Sequence, residues 1–338
     1  VRGPSFYDLG EAIACQTIFT ISGMAAIAAL VFAVARLVEQ ASLVIPSGCY
    51  GETKELVEGY ARHLRLISAA QDPAGATARA ASPRMLLLDS SAPAFDFNLS
   101  RDAMSSALDL IIFDTTCLSA GSRRIRRVLD LARRCKVPVA MVRSHTKLDS
   151  LGAEYGRLGS VTFVDWDKQG ARSKLKELPP ATTDAVRLIG GAAIPAHFPP
   201  YVGTRAYRRL TNRRMAAILR NCRRASRYCA ASLSGLTAEL HFTHNLYITL
   251  KSARPLDEAA ARAISTRIVD DLAQSGLPIR HAGSFGFDFA ASEWFCDSTT
   301  GQYHVRIAVP DLATPHWDEL TRAIAGWWQA HQRETAGA

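Results

Sequence analysis

The sequence predicts an α/β protein: a mostly parallel sheet sandwiched by helices, followed by a smaller C-terminal α+β domain. Three observations carry this. Short apolar runs bounded by turn residues recur through the first half, amphipathic stretches separate some of them, and polar residues collect where the runs end. Strands apolar throughout are buried on both faces, as parallel sheets covered by helices require. At 338 residues the chain also exceeds what one core usually serves.

Each element follows from its own stretch. TIFTIS (17–22) reads as a strand feeding a buried helix, and ASLVIPS (41–47), RMLLLDSS (84–91), LDLIIFDTT (108–116) and VPVAMVRS (137–144) read as buried strands. ELVEGYARHLRLISAA (55–70) and RRIRRVLDLARRC (123–135) have helical periodicity. Prolines and glycines thicken over 177–200, which divides a large domain, 1–190, from a second part, 191–338. That part opens with a long helix, about 205–234. Strands in 238–252 and 303–311 then flank a helix at 256–276, and an amphipathic helix at 316–334 closes it.

Composition narrows the class. With 48% hydrophobic and 21% charged residues the chain is an ordinary globular one, not a disordered one. Seven cysteines without a CxxC pair point to neither a disulfide framework nor a zinc site, and a reducing cytoplasm suits them. Residues 12–35 carry no charge and are long enough to span a bilayer, but Gln16, Thr17, Thr20, Ser22 and Gly23 interrupt the run and no basic start precedes it. A membrane protein is therefore not expected. The net charge of +9 favours acidic partners, and 205–227 hold nine arginines and no acid. No aromatic ladder or recognised module accompanies them, so a basic helix face is expected rather than a nucleic-acid site.

Ligands of parallel sheets collect beyond the carboxyl ends of the strands, and the residues there carry chemistry. Ser22, Gly23 and Met24 stand where a strand turns into a helix, so backbone N–H groups and the helix dipole can hold a phosphate. Tyr50 lies at the next strand-to-helix turn, where a flat ring can stack on a cofactor. Asp114 ends an apolar strand and needs a cation or hydrogen bonds there. Lys147 follows another apolar strand with Ser144 and Thr146 beside it, and desolvation favours the nucleophilic amine. Phosphate turn, stacking tyrosine, strand-end aspartate and lysine form, in that order, the series pyridoxal 5′-phosphate chemistry requires.

With those residues in place, the chain resembles the fold-type I pyridoxal phosphate enzymes, and within them the Cys/Met-metabolism family of cystathionine gamma-synthase and methionine gamma-lyase. SGMAAI (22–27) matches the family's phosphate turn, YGET (50–53) its ring-stacking Tyr-Gly-Gly-Thr, and DTT (114–116) is similar to its Asp-Asn-Thr, bringing in Thr116. Ser144, Thr146 and Lys147 match its Ser-x-Thr-Lys. RMAAILRNC (214–222) keeps Arg214, Met215 and Asn221 of a long-helix motif, and HVRIAVPD looks like the C-terminal strand whose arginine, here Arg306, binds the substrate carboxylate.

Departures stand beside the matches. DSSAP (89–93) replaces Glu-Thr-Pro-Ser-Asn-Pro, the stretch after Lys147 lacks Tyr-Leu-Gly-Gly-His, and the gap from Asp114 to Lys147 is long. Arg157-Leu158-Gly159 is closer to the aminotransferase ending whose arginine grips the phosphate. Arg2 partially echoes the family's partner-subunit arginine.

The resemblance implies a cytoplasmic homodimer or tetramer with a shared site and an amino-acid substrate bound as an external aldimine. Lys147 is then the cofactor anchor and general base, Asp114 the electron-sink partner, and Tyr50 the stacking ring that also moves protons. The expected reaction is gamma-elimination or gamma-replacement through a vinylglycine-type intermediate. An aminotransferase is the alternative; outside enzymes, a basic nucleic-acid-binding or regulatory protein on a retired scaffold.

Overall fold

The computed structural model describes residues 6, 7, 9, 15–46, 48–69, 80–91, 108–153, 156–166, 175–199, 202–233, 238–241, 246–252, 254–297 and 300–331. Arg2, Ser47, Ala92 and Pro93 lie outside them. Two compact units are present: 1–146 with 155–208, and 147–154 with 209–338.

The first unit holds a seven-stranded sheet. Its strands are β1 (Cys15–Thr20), β2 (Ala41–Pro46), β3 (Leu64–Ala69), β4 (Arg84–Asp89), β5 (Leu110–Asp114), β6 (Val139–Ser144) and β7 (Gly159–Val164), in the spatial order β1-β7-β6-β5-β4-β2-β3. Neighbours pair in parallel except around β7, which runs antiparallel to both β6 and β1. The carboxyl ends of β1, β2, β4, β5 and β6 therefore share one edge of the sheet with the start of β7.

Burial explains why the apolar runs became strands. On β2, β4, β5 and β6, Leu43, Met85, Leu87, Leu110, Ile112, Ala140 and Val142 pack into one core with helix α1 (Gly23–Leu37). Their alternates Val44, Leu86, Leu88, Ile111, Phe113, Val139 and Met141 join helix α3 (Arg123–Cys135) in a second core. Side chains alternate across a strand, so both faces are dry. Helix α2 (Gly51–Tyr60) joins β2 to β3, and α4 (Leu178–Leu188) lies against α1. Pro179 and Pro180 lie at the start of α4, where a missing N–H breaks no helical bond.

One local expectation changes and one strand had no sequence signal. The helix expected over 55–70 ends at Tyr60, and Leu64–Ala69 is β3, the edge strand. β7, with its polar Ser160 and Thr162, carries no apolar run to announce it. As expected, the uncharged stretch supplies a strand and a buried helix, β1 over 15–20 and α1 from 23; among the described residues no helix is long and apolar enough to cross a membrane.

The second unit is built on a five-stranded sheet, ordered β10 (Ile279–His281), β11 (Ala290–Cys296), β12 (Tyr303–Ala308), β9 (Tyr247–Leu250) and β8 (Ala238–His241), antiparallel except for β10 with β11. Helices α6 (Glu258–Gln274) and α7 (Thr314–Ala330) belong to it, with most of α5 (Arg205–Ser232). On α5, Ile218, Cys222, Ala225 and Cys229 are buried at helical spacing while Arg213, Arg223 and Arg227 are exposed, so the arginine run is the wet face of an amphipathic helix.

Two members of the long-helix motif face inward. Arg214 reaches Asp311 with Nε and Nη2, at 2.9 and 3.1 Å, and gives Nη2 to the Phe287 carbonyl at 2.7 Å. Asn221 donates to the carbonyls of Pro310 and Leu312. Together they pin the connection after β12.

Candidate active site

In the first unit the site residues gather at the shared strand edge. Ser22 caps α1 with an extended backbone, its hydroxyl accepting the Ala25 N–H at 3.0 Å while its carbonyl takes the Thr20 hydroxyl. Gly23 and Met24 open the helix, so their N–H groups have no acceptor within it. Gly159 sits in register between Thr20 of β1 and Ser144 of β6. A Cβ on Gly159 would stand 2.2 Å from the Ser22 carbonyl, and one on Gly23 2.9 Å from the Ser144 Cβ. Both glycines bring the helix start against the ends of β6 and β7.

The Ser144 and Thr146 hydroxyls lie 2.9 Å apart, and the Ser144 N–H donates to the Thr116 hydroxyl. Buried His145 fixes the turn between them through Ser160 at 2.8 Å and through its ring tilted against Phe6, centroids 3.7 Å apart. Arg157 is exposed two residues before Gly159, its backbone against His197. Two helix-start N–H groups beside two hydroxyls form a donor set suited to a phosphate. Gly159→Ala tests the packing: the new methyl meets backbone that cannot rotate aside, and a loss of about 1–3 kcal/mol is expected in denaturant unfolding, with phosphate affinity falling alongside.

Asp114 ends β5 directly beside Asp89, which ends β4. Both are buried, and alternation puts them on the α1 side of the sheet, where Ser144 also points. The Asp114 carboxyl is pushed up to about 7, first by burial and then by the Asp89 charge, against hydrogen bonds from Thr116 and the Arg143 cation. Burial also pushes Asp89 up, but this group accepts three hydrogen bonds: Tyr50 N–H at 2.6 Å, Ser91 N–H at 2.7 Å and the Ser91 hydroxyl at 2.8 Å. These donors favour the charged form of Asp89 and leave Asp114 the more basic of the pair. Tyr50 caps α2, and its ring is 44% exposed at this edge. A half-exposed ring, a basic buried carboxyl and a phosphate-type donor set fit the parts of pyridoxal phosphate.

Lys147 belongs to the second unit. Its amine donates to the Ser284 hydroxyl and lies 5.8 Å from the centre of the Phe285 ring. Gly286, at φ +88, lets the backbone close on Lys147: a Cβ there would fall 2.6 Å from the Lys147 carbonyl oxygen. Phe285 meets Tyr247 edge to face, and the Arg306 guanidinium lies 4.5 Å from the Tyr247 ring and 4.8 Å from that of Phe295. Arg306 Nε already donates to Glu293 at 2.8 Å.

Ser284, Gly286, Glu293 and Arg214's partners escape sequence reading because each contact joins residues far apart in the chain. Asp89 was visible only as the acid opening DSSAP.

No protein-family model and no curated protein sequence matches the chain. Its fold is that of the fold-type I pyridoxal phosphate enzymes. Among solved structures it resembles a cystathionine gamma synthase from Xanthomonas oryzae pv. oryzae, determined with aminoacrylate and cysteine, at 20% identity and a TM-score of 0.59 over 93% of this chain and 82% of that one. It also resembles CalE6, a methionine gamma lyase from Micromonospora echinospora, at 16% identity and a TM-score of 0.61 over 91% and 80% of the two chains. The metB protein of Corynebacterium glutamicum is similar at 14% identity, with a TM-score of 0.61 over 91% and 79%.

Proposed function

We propose that the chain is a pyridoxal phosphate-dependent enzyme acting on an amino acid by gamma-elimination or gamma-replacement. One observation carries the reading: the buried carboxyl of Asp114 shares a sheet edge with the donors at the start of α1, in a fold-type I architecture. When bound, the cofactor supplies an electrophilic aldehyde and an electron sink next to the substrate's alpha carbon.

The residues take distinct tasks. The Gly23 and Met24 N–H groups, with Ser22, Ser144, Thr146 and Arg157, hold the phosphate. Tyr50 stacks on the ring and carries protons at its phenol. Asp114 would accept a hydrogen bond from the ring nitrogen and hold its proton there, so that the ring can take up electron density. The Lys147 amine would hold the aldehyde and would serve as general base for the substrate's alpha proton, with the Ser284 hydroxyl it donates to aiming it. Arg306 orients the substrate carboxylate while Glu293 stays on its Nε. A homodimer or tetramer is part of this reading, with Arg2 as the residue lent to the neighbouring subunit.

An aminotransferase is the second reading, favoured by Arg157 preceding the Gly159 that rests on Ser22. Incubating the cofactor-loaded protein with gamma-substituted amino acids separates them. Release of the gamma substituent is expected; a keto acid with accumulating pyridoxamine phosphate would establish transamination, and neither product would remove both.

A further inference from the structure

Asp89 lies outside the machinery assigned above, yet its carboxylate accepts three hydrogen bonds at the strand edge. Its Oδ2 accepts the Tyr50 N–H at 2.6 Å, and its Oδ1 accepts both the N–H and the hydroxyl of Ser91. Ser91 in turn reaches the Gly48 carbonyl at 3.4 Å, and the Ser90 N–H donates to the Asp114 carbonyl at 2.9 Å. The carboxylate thus clasps two separate turns, 48–50 after β2 and 89–91 after β4, to the residue beside Asp114. It is 3% exposed, so water does not compete for these bonds.

We propose that Asp89 is a positioning residue: its carboxylate fixes the Tyr50 turn at the strand edge, and its charge, one strand from Asp114, makes Asp114 the stronger acceptor for a cationic ring nitrogen. This rests on the cofactor reading only in its second half; the clasp on Tyr50 stands without it.

The chemistry requires an acceptor-only group. Three donors converge on Asp89, and an ionised carboxylate satisfies them all. An asparagine of the same shape must turn its amide N–H₂ towards Tyr50 N–H or towards Ser91, setting donor against donor. The charged and titratable groups around Asp114 are Asp89 on β4, Arg143 on β6 and the Cys117 thiol after β5. Arg143 is engaged with the carbonyls of Thr115 and Leu118 at 2.7 and 2.8 Å, which leaves Asp89 as the neighbour that raises proton affinity.

The experiment compares wild type, Asp89→Asn and Ser91→Ala as full-length cofactor-free protein, by amide hydrogen exchange and by equilibrium binding of pyridoxal phosphate across pH 5–9. In Asp89→Asn the Tyr50 amide is expected to exchange at least about 10-fold faster while Leu86–Leu88 and Ile111–Phe113 keep their protection. Cofactor affinity falls about 10-fold, and its pH dependence moves to lower pH because Asp114 has lost a like charge. Ser91→Ala removes one of the three donors and the reach to Gly48, so both readouts move in the same direction as in Asp89→Asn but by less.

Unchanged Tyr50 exchange in Asp89→Asn overturns the clasp, and an unshifted pH profile overturns the electrostatic half. If Asp89→Asn does not fold, the wild-type Tyr50 amide decides: protection equal to that of β4 supports the clasp, and exchange at the rate of an exposed turn removes it. A wild type that binds no pyridoxal phosphate refutes the cofactor reading and the electrostatic half, while the exchange comparison still decides the clasp.

Discussion

Asp114→Asn is expected to make the cofactor-free protein more stable at pH 8 and to remove most of its activity once cofactor is added. The sign follows from protons. Asp114 titrates near 7 in the folded chain and near 3.8 when unfolded. Between those values the folded state binds more protons, so stability falls as pH rises through the window, and above it the full cost of an ionised buried carboxylate remains. At 1.36 kcal/mol per pKa unit, that cost is about 4 kcal/mol at most, less whatever the partner Asp89 shares. Asparagine keeps the hydrogen bond from the Thr116 N–H and cannot ionise. Urea unfolding at pH 5 and pH 8 should show wild type losing stability over that interval and the variant losing clearly less. Turnover should fall about 10²–10³-fold, the scale on which loss of one preorganised electrostatic partner acts. Identical pH slopes in the two proteins would contradict the burial argument, and retained turnover the assigned role.

The same residue shows what a sequence discloses. LIIFDTT announces a buried strand ending in a carboxylate because the pattern is local, and β2, β4 and β6 are legible for the same reason: both faces are dry, so Leu43–Ile45, Met85–Leu88 and Val139–Val142 are apolar throughout. The placement of Ser22–Met24, Tyr50 and Asp114 is legible because the first unit's sheet collects the ends of β1, β2 and β5 at one edge. β3 was not. Arg62, His63 and Arg65 among Leu64, Leu66 and Ile67 mimic a helical face, and an edge strand tolerates those charges. β7 hides because polar Ser160 and Thr162 are buried by pairing on both sides, to β1 and to β6. Least visible are the supports: Ser284 is 137 residues from Lys147, Asp89 is 39 from Tyr50, and no local pattern marks either contact.

Those supports shape the expected behaviour of Lys147→Ala. The amine donates to Ser284 and is only partly buried, so its loss should cost about 1–2 kcal/mol and leave the protein folded. The donors proposed for the phosphate, in the first unit, are untouched, so pyridoxal phosphate should still bind, but reversibly. Borohydride treatment of loaded wild type is expected to fix the cofactor on the peptide that carries Lys147; in the variant no peptide should be labelled. Turnover should drop at least about 10³-fold, within the range of a lost general base and beyond it if anchoring also limits the rate. Ser284→Ala separates aim from chemistry: labelling of Lys147 persists, while the rate falls about 3–10-fold and its pH profile shifts, because the amine loses a fixed acceptor but remains in place. Label appearing on another lysine in Lys147→Ala, or turnover within tenfold of wild type, would assign the anchor elsewhere. Unaltered rate and pH profile in Ser284→Ala would instead leave Phe285 and the Gly286 backbone as what holds the amine.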